Sequence, residues 1–575
     1  MKLSFKGIKS NMNQARYDSM PWLKIYEEQG VPKTLEYPQK TMYQMVVDTA
    51  TKYPDFIAYE YFGKTCTYQG LMDKIEACAK SLQHIGVKSD DVITLVMPNT
   101  PEAIIMFYAV NKIGAVAQMV HPLSSSSEIE FCLKNAQSEY VFTLDFIYDK
   151  IAEVKDSAKL KKIILTSASD SMNLLTTIGY WLKAGRKLKL ENLSDNVLMW
   201  KDFIYEGRVA PVANESNKTD VDLAVILYSG GTTGEPKGIM LTNRNFNSIA
   251  TQYPKFCPEV KPEDSMLCIL PVFHGFGLGV CVHTVLTLGM RAILIPKFTP
   301  EDFGNLIKKH RPNFIAGVPT LYEALLQTKL EPDGLSFVKT VISGGDMLSP
   351  ELQKKVEEYL ADHNCGGELR VGWGMTECVA APIATPKGKL VPGSIGVPLM
   401  DTYVKIVKPG TTENAFFDTD GELCVSGPSV MMGYLNNKKE TNETLKKHDD
   451  GKIWLHTGDM ASMDKKGMVF FKSRIKRMII SSGYNIYPTY IENIINSHEK
   501  VLTSIVVGEP HEYKGEVAKA YVVLKPEYKA SDKIKNEIIE HYQKNLAKYS
   551  WPMGIEFRET LPKTKIGKVD YRNVK

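Results

Sequence analysis

The chain has 575 residues, of which 43% are hydrophobic and 24% are charged, and this balance is typical of a globular protein with large buried cores. Its 70 lysines and arginines nearly balance its 66 aspartates and glutamates, so the net charge is only +4. No overall field therefore indicates nucleic acid or an anionic membrane as a partner, and any anion must be bound locally.

The nine cysteines are scattered, with no Cys-x-x-Cys pair and no histidine cluster at metal-ligand spacing. The sequence therefore predicts neither a disulfide framework nor a structural zinc site, and it favours the reducing cytoplasm as the location. The basic residues Lys2, Lys6 and Lys9 are followed by apolar stretches that polar residues interrupt, which is unlike a signal peptide.

Helix-like stretches and short apolar runs alternate over the first half of the chain. Strands are predicted at 92–96, 115–119, 161–165, 224–228 and 292–295. Helices are predicted at 41–52, 68–85, 102–114 and 301–309. This alternation predicts an α/β fold with mostly parallel, helix-covered sheets.

From residue 399 the pattern becomes rich in strands and turns, which predicts a distorted, β-barrel-like part. After residue 474 the order is helix 490–497, strands 501–507 and 518–524, and helix 532–546. We therefore expect a large N-terminal domain over residues 1–473 and a small α+β domain over residues 474–575.

Two segments raise the question of a membrane. The uncharged run 265–290 is long enough to span a bilayer, but Pro271, His274 and several glycines make it a poor spanning helix. The segment 167–208 places Ile178, Trp181 and Leu182 among lysines and an arginine. It fits either peripheral contact with a membrane, at the inner face, or a solvated basic helix with one docked aromatic face.

The sequence Tyr228-Ser-Gly-Gly-Thr-Thr-Gly-Glu-Pro-Lys-Gly238 follows an apolar run. Backbone N–H groups, hydroxyls and one lysine at the end of a strand can hold a polyphosphate. This is not a Walker loop, because Pro236 precedes Lys237 and Gly238 follows it. The alternative interpretation is a glycine-rich turn before a helix.

The loop resembles the phosphate-binding loop of the adenylate-forming superfamily, which contains acyl-CoA synthetases, peptide-synthetase adenylation domains and luciferases. Further segments match this family in the same order: Leu270-Pro-Val-Phe-His274, Ser343-Gly-Gly-Asp346, Gly372-Trp-Gly-Met-Thr-Glu377, Trp454-Leu-His-Thr-Gly-Asp459, Arg474-Ile-Lys476 and Pro562-Lys-Thr-Lys-Ile-Gly-Lys568.

Within the superfamily, the run from Lys476 to Pro488 looks most like bacterial medium- and long-chain fatty acyl-CoA ligases. Two positions depart from that pattern: Ser473 stands where Asp or Gly usually precedes the arginine, and Tyr490 stands where Glu is common. Ile480 stands where plant coumarate-CoA ligases carry a lysine, which argues against that subfamily.

The resemblance implies an acid-thiol ligase that uses ATP, Mg²⁺ and CoA to convert a carboxylic acid through an acyl adenylate to an acyl-CoA thioester. Three alternatives remain open: an enzyme that passes the acyl group to a carrier protein, an aryl- or bile-acid CoA ligase, and a lipid- or nucleotide-binding protein without catalysis. Neither the chain length of the acid nor the oligomeric state follows from the sequence.

The matched motifs also imply roles for individual residues. Glu377 is the expected ligand of Mg²⁺, and Thr376 is expected to donate to the α-phosphate. The remaining residues expected to bind ATP are Ser229, Gly230, Gly231, Thr232, Thr233 and Lys237 at the phosphates, Gly344, Gly345, Asp346 and Trp373 at adenine, and Asp459 and Arg474 at the ribose.

Lys568 is the expected catalytic lysine of adenylation and would also contact ATP, although a solvated basic tail is the simpler interpretation of the lysines around it. Lys476 is the expected hinge of a mobile C-terminal domain, with Ser482, Gly483 and Tyr484 binding CoA. His274 is expected to gate the acyl pocket, or else to be a packed core histidine. The expected acyl pocket contains Phe273, His274, Phe276 and Gly277.

Overall fold

The structure is a computed structural model that describes residues 17–173, 177–178, 193–211, 213–229, 236–482, 484–562 and 569–574. Its strands, in chain order, are β1 Ile57–Tyr61, β2 Lys64–Thr67, β3 Val92–Val96, β4 Val116–Val120, β5 Tyr140–Leu144, β6 Lys162–Thr166, β7 Val197–Met199, β8 Leu223–Ser229, β9 Lys237–Thr242, β10 Ser265–Cys268, β11 Arg291–Leu294, β12 Phe314–Gly317, β13 Thr340–Gly344, β14 Glu368–Trp373, β15 Ile383–Ala384, β16 Ser394–Pro398, β17 Tyr403–Val407, β18 Gly421–Ser426, β19 Gly433–Tyr434, β20 Leu445–Lys447, β21 Ile453–Met463, β22 Val469–Arg474, β23 Ile479–Ser481, β24 Tyr484–Ile486, β25 Val501–His511, β26 Gly515–Leu524 and β27 Gly554–Phe557.

The helices cover the faces of these sheets. They are Leu23–Gln29, Met42–Lys52, Tyr68–His84, Pro101–Lys112, Ser126–Ala136, Tyr148–Ala152, Trp200–Val209, Asn243–Phe256, Phe303–His310, Pro319–Leu326, Pro350–Asp362, Lys438–Thr444, Pro488–Asn496 and Asp532–Asn545, with a π-helix at Phe276–Thr284 that continues as Val285–Thr287. Local sequence sets several of their starts: Thr41 and Gln44, for example, form a reciprocal capping box at the first turn of Met42–Lys52.

Two large sheets build the N-terminal part of the described chain. One has 8 strands in the order β19-β9-β8-β4-β3-β5-β6-β7, parallel from β8 to β7. The other has 14 strands and runs β17-β18-β21-β22-β16-β15-β14-β13-β12-β10-β11-β1-β2, with β20 beside β21. Its stretch from β14 to β1 is parallel. The predicted α/β fold with mostly parallel, helix-covered sheets is therefore confirmed.

The strand-rich part predicted after residue 399 is the antiparallel end of the 14-stranded sheet. Among the described strands it does not close into a barrel, because β17 lies at an open edge. β18 and β21 therefore belong to the same open sheet as β13 and β14.

The C-terminal part has a 5-stranded sheet of its own among the described residues, in the order β24-β23-β26-β25 with β27 beside β26. Its buried side chains form clusters separate from the main core. A short 3₁₀ turn, Ile475–Arg477, joins β22 of the large sheet to β23 of the small one.

The uncharged run 265–290 is divided between strand β10, a turn and the π-helix. Within the described ranges, no helix is both long enough and apolar enough to cross a bilayer. The aromatic and basic centre of the segment 167–208, including Trp181 and Leu182, lies outside the described residues. At its edges Ile178 and Tyr205 are exposed.

Candidate functional site

A cavity of about 1290 Å³ lies where the parallel strands of the two large sheets end. Its lining includes residues directly after the carboxyl ends of strands in both sheets: Asn99 after β3, His121 after β4, Ile295 after β11, Val318 after β12 and Gly345 after β13. Loops at the carboxyl ends of parallel strands are the usual ligand-binding position in α/β proteins. The topology therefore concentrates polar loops from both sheets around one cavity.

The phosphate loop joins two antiparallel strands. Ser229 at the end of β8 is the register partner of Lys237 at the start of β9, and both line the cavity. The interpretation as a turn before a helix is therefore wrong, because the chain returns as a strand alongside β8. Gly230, Gly231, Thr232 and Thr233 lie outside the described residues.

Lys237 is paired in this structure. Its ammonium contacts the Glu440 carboxylate and lies 5.3 Å from the centre of the Tyr434 ring. A polyphosphate that bound Lys237 would have to replace the Glu440 carboxylate as its counter-ion.

Glu377 lies in the short turn Thr376–Cys378 that follows β14, and both Thr376 and Glu377 line the cavity. The Tyr434 hydroxyl donates to Glu377 Oε1 at 2.9 Å. Burial raises the pKa of Glu377, while this hydrogen bond and the charges of Arg474 and Lys237 oppose the rise. A buried carboxylate facing a cavity is stabilised by a bound cation, so Glu377 fits the role of a magnesium ligand.

Gly275 and Gly277, at the start of the π-helix, line the cavity, but backbone atoms occupy the space that a Cβ of either residue would need. A Cβ on Gly277 would lie 2.0 Å from the Pro271 carbonyl oxygen, and one on Gly275 would lie 1.6 Å from the Val379 carbonyl oxygen. These glycines allow backbones to approach each other closely. Gly275 in particular packs the start of the π-helix against Val379, directly after the turn that carries Thr376 and Glu377.

We expect Gly275→Ala to destabilise the protein by about 3 kcal/mol, because backbone must move to admit the new methyl group. Urea denaturation followed by circular dichroism measures the change. Gly554→Ala is the matched control, since a Cβ there has nothing within 4 Å. Equal unfolding midpoints for the two variants would contradict the close-packing role.

The residues expected at adenine lie together but differ in exposure. Gly344 and Gly372 are register partners on β13 and β14, and Gly345 lines the cavity with a φ of +77°. Asp346 is exposed, and its carboxylate accepts from the Met347 N–H. Trp373 is buried in β14, whereas its neighbours Gly372 and Gly374 line the cavity. An adenine that stacked on the indole would have to reach past these two glycines.

Trp373, Asp459 and Arg474 form one connected group. The indole N–H donates to Asp459 Oδ2 at 3.0 Å, and Arg474 Nη1 lies 2.8 Å from Asp459 Oδ1. Asp459 and Arg474 are register partners on β21 and β22. Burial raises the pKa of Asp459 to about 6, although Arg474 and the indole N–H favour the charged form.

This raised pKa predicts a pH dependence of nucleoside binding. The Asp459 carboxylate accepts from ribose hydroxyls best when ionised, so adenosine affinity should fall by roughly tenfold from about pH 7 to about pH 5. Isothermal titration with adenosine, which has no phosphate to titrate, measures this. Asp459→Asn should bind weakly at every pH, and a wild-type affinity that stays constant across this range would refute the assignment.

All four expected acyl-pocket residues, Phe273, His274, Phe276 and Gly277, line the cavity. The rings of Phe273 and His274 lie 5.1 Å apart between centroids. Other apolar residues of the lining come from segments after strands that no motif marks: Leu123, Phe146, Ile295, Phe298 and Leu321. Leu123 and Ile295 lie close to the ends of the strands predicted at 115–119 and 292–295, whereas Phe146 and Leu321 follow β5 and β12, which local patterns did not predict.

Several polar residues of the cavity were also missed from the sequence. Tyr434 holds Glu377, Glu440 pairs with Lys237, and Glu422 and His456 line the wall next to Thr457 and Gly458. Tyr434 and Glu440 lie in the strand-rich part predicted after residue 399, but nothing in their spacing indicates that they approach Lys237.

The C-terminal part contributes Lys476 and the run 569–571 to the cavity wall. Ser482 has a positive φ of +49°, and its N–H donates to the Lys514 carbonyl oxygen at 2.8 Å. Tyr484 begins β24. Gly483 and Lys568 lie outside the described residues.

The structure brings together three potential metal ligands that the sequence does not indicate. Ligand atoms of Cys424, His448 and His456 lie within 4.8 Å of one another, although their spacing along the chain is unlike a metal-binding motif. The cluster arises because Cys424 and His456 are register partners on β18 and β21. All nine cysteines belong to the described residues, and each is a free thiol there.

Comparisons with known proteins identify the family of this chain. Family models described as AMP-binding enzyme and AMP-binding enzyme C-terminal domain match residues 46–435 and 490–568. A long-chain-fatty-acid–CoA ligase of Bacillus subtilis (strain 168) is 34% identical over 555 residues, which is 96% of each chain.

Solved structures agree as well. An ATP-bound RpMatB-BxBclM chimera superposes with a TM-score of 0.80 at 25% identity, over 93% of this chain and 98% of the other. A Mycobacterium tuberculosis fatty acyl CoA synthetase superposes with a TM-score of 0.66 at 25% identity, over 92% and 97%. The chain therefore belongs to the AMP-binding enzymes of the adenylate-forming superfamily, as its motifs indicate.

Proposed function

We propose that this protein is an AMP-forming acyl-CoA synthetase that activates a medium- or long-chain fatty acid through an acyl adenylate to its CoA thioester. The observation that carries the proposal is a single cavity lined by two chemically different sets of residues. Thr376, Glu377 and Lys237 belong to the polar set, and Phe273 and Phe298 belong to the apolar set. One cavity can thus hold an anionic triphosphate and an apolar tail with a carboxylate between them.

The polar set suits attack of a carboxylate on the α-phosphorus of ATP. Both reactants are anionic, so the site must neutralise charge as they approach. Lys237 would bind phosphate oxygens, and Thr376 would donate its hydroxyl to the α-phosphate. Glu377 would hold Mg²⁺, which when bound supplies positive charge to the triphosphate.

The acid is tested by measuring pyrophosphate release over a series of saturated fatty acids, with benzoate and coumarate as controls. We expect the highest kcat/KM for a medium or long chain, because each methylene buried against the apolar set contributes about 0.8 kcal/mol. A higher kcat/KM for benzoate or coumarate would show that the substrate is an aryl acid and not a fatty acid. A higher kcat/KM for a bile acid than for every fatty acid would show that the substrate is a bile acid.

The acyl acceptor needs a separate test. AMP release that depends on CoA supports the thioester product, whereas adenylate that accumulates equally with and without CoA would indicate transfer to a carrier protein. Acid-dependent exchange of labelled pyrophosphate into ATP excludes a protein that only binds lipid or nucleotide, because binding alone cannot perform the exchange.

The two-domain organisation, 1–473 and 474–575, belongs to this proposal. The separate cores and the short turn Ile475–Arg477 between the sheets support a hinge at Lys476. Rotation about this turn would withdraw the C-terminal wall from the cavity and bring the loop Ser482, Gly483 and Tyr484 to the thiol of CoA, with His274 between the thiol and the acyl group.

We expect Lys476→Pro to leave adenylate formation intact and to slow thioester formation, because proline restricts φ at the hinge. Single-turnover measurement of both half-reactions provides the test. Lys476→Ala is the matched control, since it removes the same side chain but keeps the backbone free. An unchanged ratio of the two rates in the proline variant would eliminate the hinge at this position.

We also propose a cytoplasmic location with peripheral contact to the inner face of the membrane through segment 167–208. Exposed Ile178 and Tyr205 support an apolar contact beside the lysines of that segment. Sedimentation with anionic vesicles tests the contact, and binding that survives replacement of Trp181 and Leu182 by serine would contradict it.

A further inference from the structure

The cluster of Cys424, His448 and His456 lies on the antiparallel end of the large sheet, beside the cavity wall. Cys424 on β18 and His456 on β21 are directly opposite each other, and His448 lies in the tight turn between β20 and β21. All three side chains are buried. A backbone hydrogen bond from Gly451 N–H to the His448 carbonyl oxygen, 2.9 Å long, closes that turn.

The hydrogen bonds of the cluster define the protonation of His456. Its Nδ1 lies 2.9 Å from Glu422 Oε2, a carboxylate that can only accept, so Nδ1 carries the proton. Its Nε2 is therefore a lone pair, 2.9 Å from Nε2 of His448. A carboxylate that holds the outer nitrogen of an imidazole in this way is the common support of a metal-ligating histidine.

His448 is left incompletely satisfied by these contacts. Its Nε2 donates to His456, while its Nδ1 is buried without a hydrogen-bond partner among the described residues. Because Nδ1 has no partner among these residues, it can take the ring proton of His448 and leave the Nε2 lone pair available to a ligand.

We propose that Cys424, His448 and His456 form a binding site for a divalent metal ion such as Zn²⁺. The ligands of the metal would be Sγ of Cys424, Nε2 of His456 and Nε2 of His448, with a water as the fourth ligand. A thiolate and two imidazoles match the ligands that Zn²⁺ prefers over those of Mg²⁺. Two nitrogens on a tetrahedral zinc lie about 3.4 Å apart, so the histidines need to separate by only about half an ångström.

The charged residues around the cluster affect its affinity for a metal cation. Glu422 and Asp450 are anionic neighbours, while the buried ammonium of Lys405 lies 3.2 Å from Asp450 Oδ2 and is neutralised by it. Burial raises the pKa of the Cys424 thiol well above its usual value.

The site would act on the cavity wall through Glu422. Its Oε1 accepts from the Gly458 N–H at 3.1 Å, directly before Asp459, while its Oε2 holds His456. A metal on His456 would thus fix the part of β21 that presents Thr457, Gly458 and Asp459. Two of the three ligands, Cys424 and His448, lie outside the cavity lining and only His456 belongs to it, so the metal would support the cavity wall rather than act on a substrate.

Titration of the full-length, metal-stripped protein with Co²⁺ tests the site without ATP, acid or CoA, so its outcome is independent of the proposed synthetase activity. We expect a thiolate-to-cobalt charge-transfer band in the near ultraviolet that saturates at one equivalent and disappears when Zn²⁺ displaces the cobalt. The oxygen ligands of a magnesium site produce no such band.

Variants assign the band to this cluster. Cys424→Ser should abolish it, His448→Gln should weaken the cobalt affinity by roughly tenfold or more, and Cys365→Ser, which removes a more accessible free thiol, should leave it unchanged. A folded wild type without the band, or a band that survives Cys424→Ser, overturns the proposal. If Cys424→Ser does not fold, an unchanged affinity in His448→Gln overturns it.

Discussion

Lys568→Ala is expected to lower adenylate formation by roughly a hundred- to a thousandfold while preformed acyl adenylate is still converted to thioester. One ammonium at this position would bind both the carboxylate of the acid and the α-phosphate oxygen, so that it orients the attack and stabilises the added charge. The thioester step starts from an adenylate whose acyl–phosphate bond already exists, so this lysine has no charge to neutralise there.

The residues on either side of the segment support this role. Val569, Asp570 and Tyr571 line the cavity, and the Asp570 N–H donates to the Pro562 carbonyl oxygen at 2.8 Å. The described residues that flank 563–568 are therefore held close together, and those on the C-terminal side lie at the cavity wall.

Pyrophosphate release from acid and ATP measures the first half-reaction, and CoA consumption from synthetic acyl adenylate measures the second. Lys563→Ala is the matched control, because it removes an equal charge from the same basic segment. Loss of both half-reactions to the same extent in Lys568→Ala would reject the assignment, as would an equal effect of the control on adenylation.

Glu377→Gln is expected to reduce adenylation by roughly a hundredfold or more and to shift its Mg²⁺ dependence to higher concentration. Glutamine preserves the size of the side chain, and its amide oxygen can still accept from the Tyr434 hydroxyl, which lies 2.9 Å from Oε1. The variant therefore removes the charge with little change in packing. The lost function is the attraction of a buried carboxylate for a divalent cation.

Titration of pyrophosphate release with Mg²⁺ at saturating ATP measures this shift. Glu443→Gln is the control, because Glu443 lines the same cavity without belonging to a matched motif. Equal Mg²⁺ dependence in the two variants would show that general cavity charge, rather than a ligand at 377, is responsible.

Local patterns predicted the secondary structure around the site well. The strand expected at 92–96 is Val92–Val96, and the helix expected at 532–546 is Asp532–Asn545. Fully buried parallel strands appear in the sequence as continuous apolar runs, so a strand of this kind can be predicted from its own residues. The packing of the glycines could not be predicted, because whether a missing Cβ faces a cavity or another backbone depends on a neighbour distant in sequence: a Cβ on Gly275 would meet Val379.

The sequence by itself determined the family, the alternation of helices and strands, and the motif residues expected to bind ATP, since all of these are carried by contiguous residues. Only the tertiary structure decided that Tyr434 holds Glu377, that Glu440 pairs with Lys237, and that Cys424 lies opposite His456. These pairs depend on strand register and on the meeting of two sheets. Register is set by packing across the whole core, which no local spacing encodes.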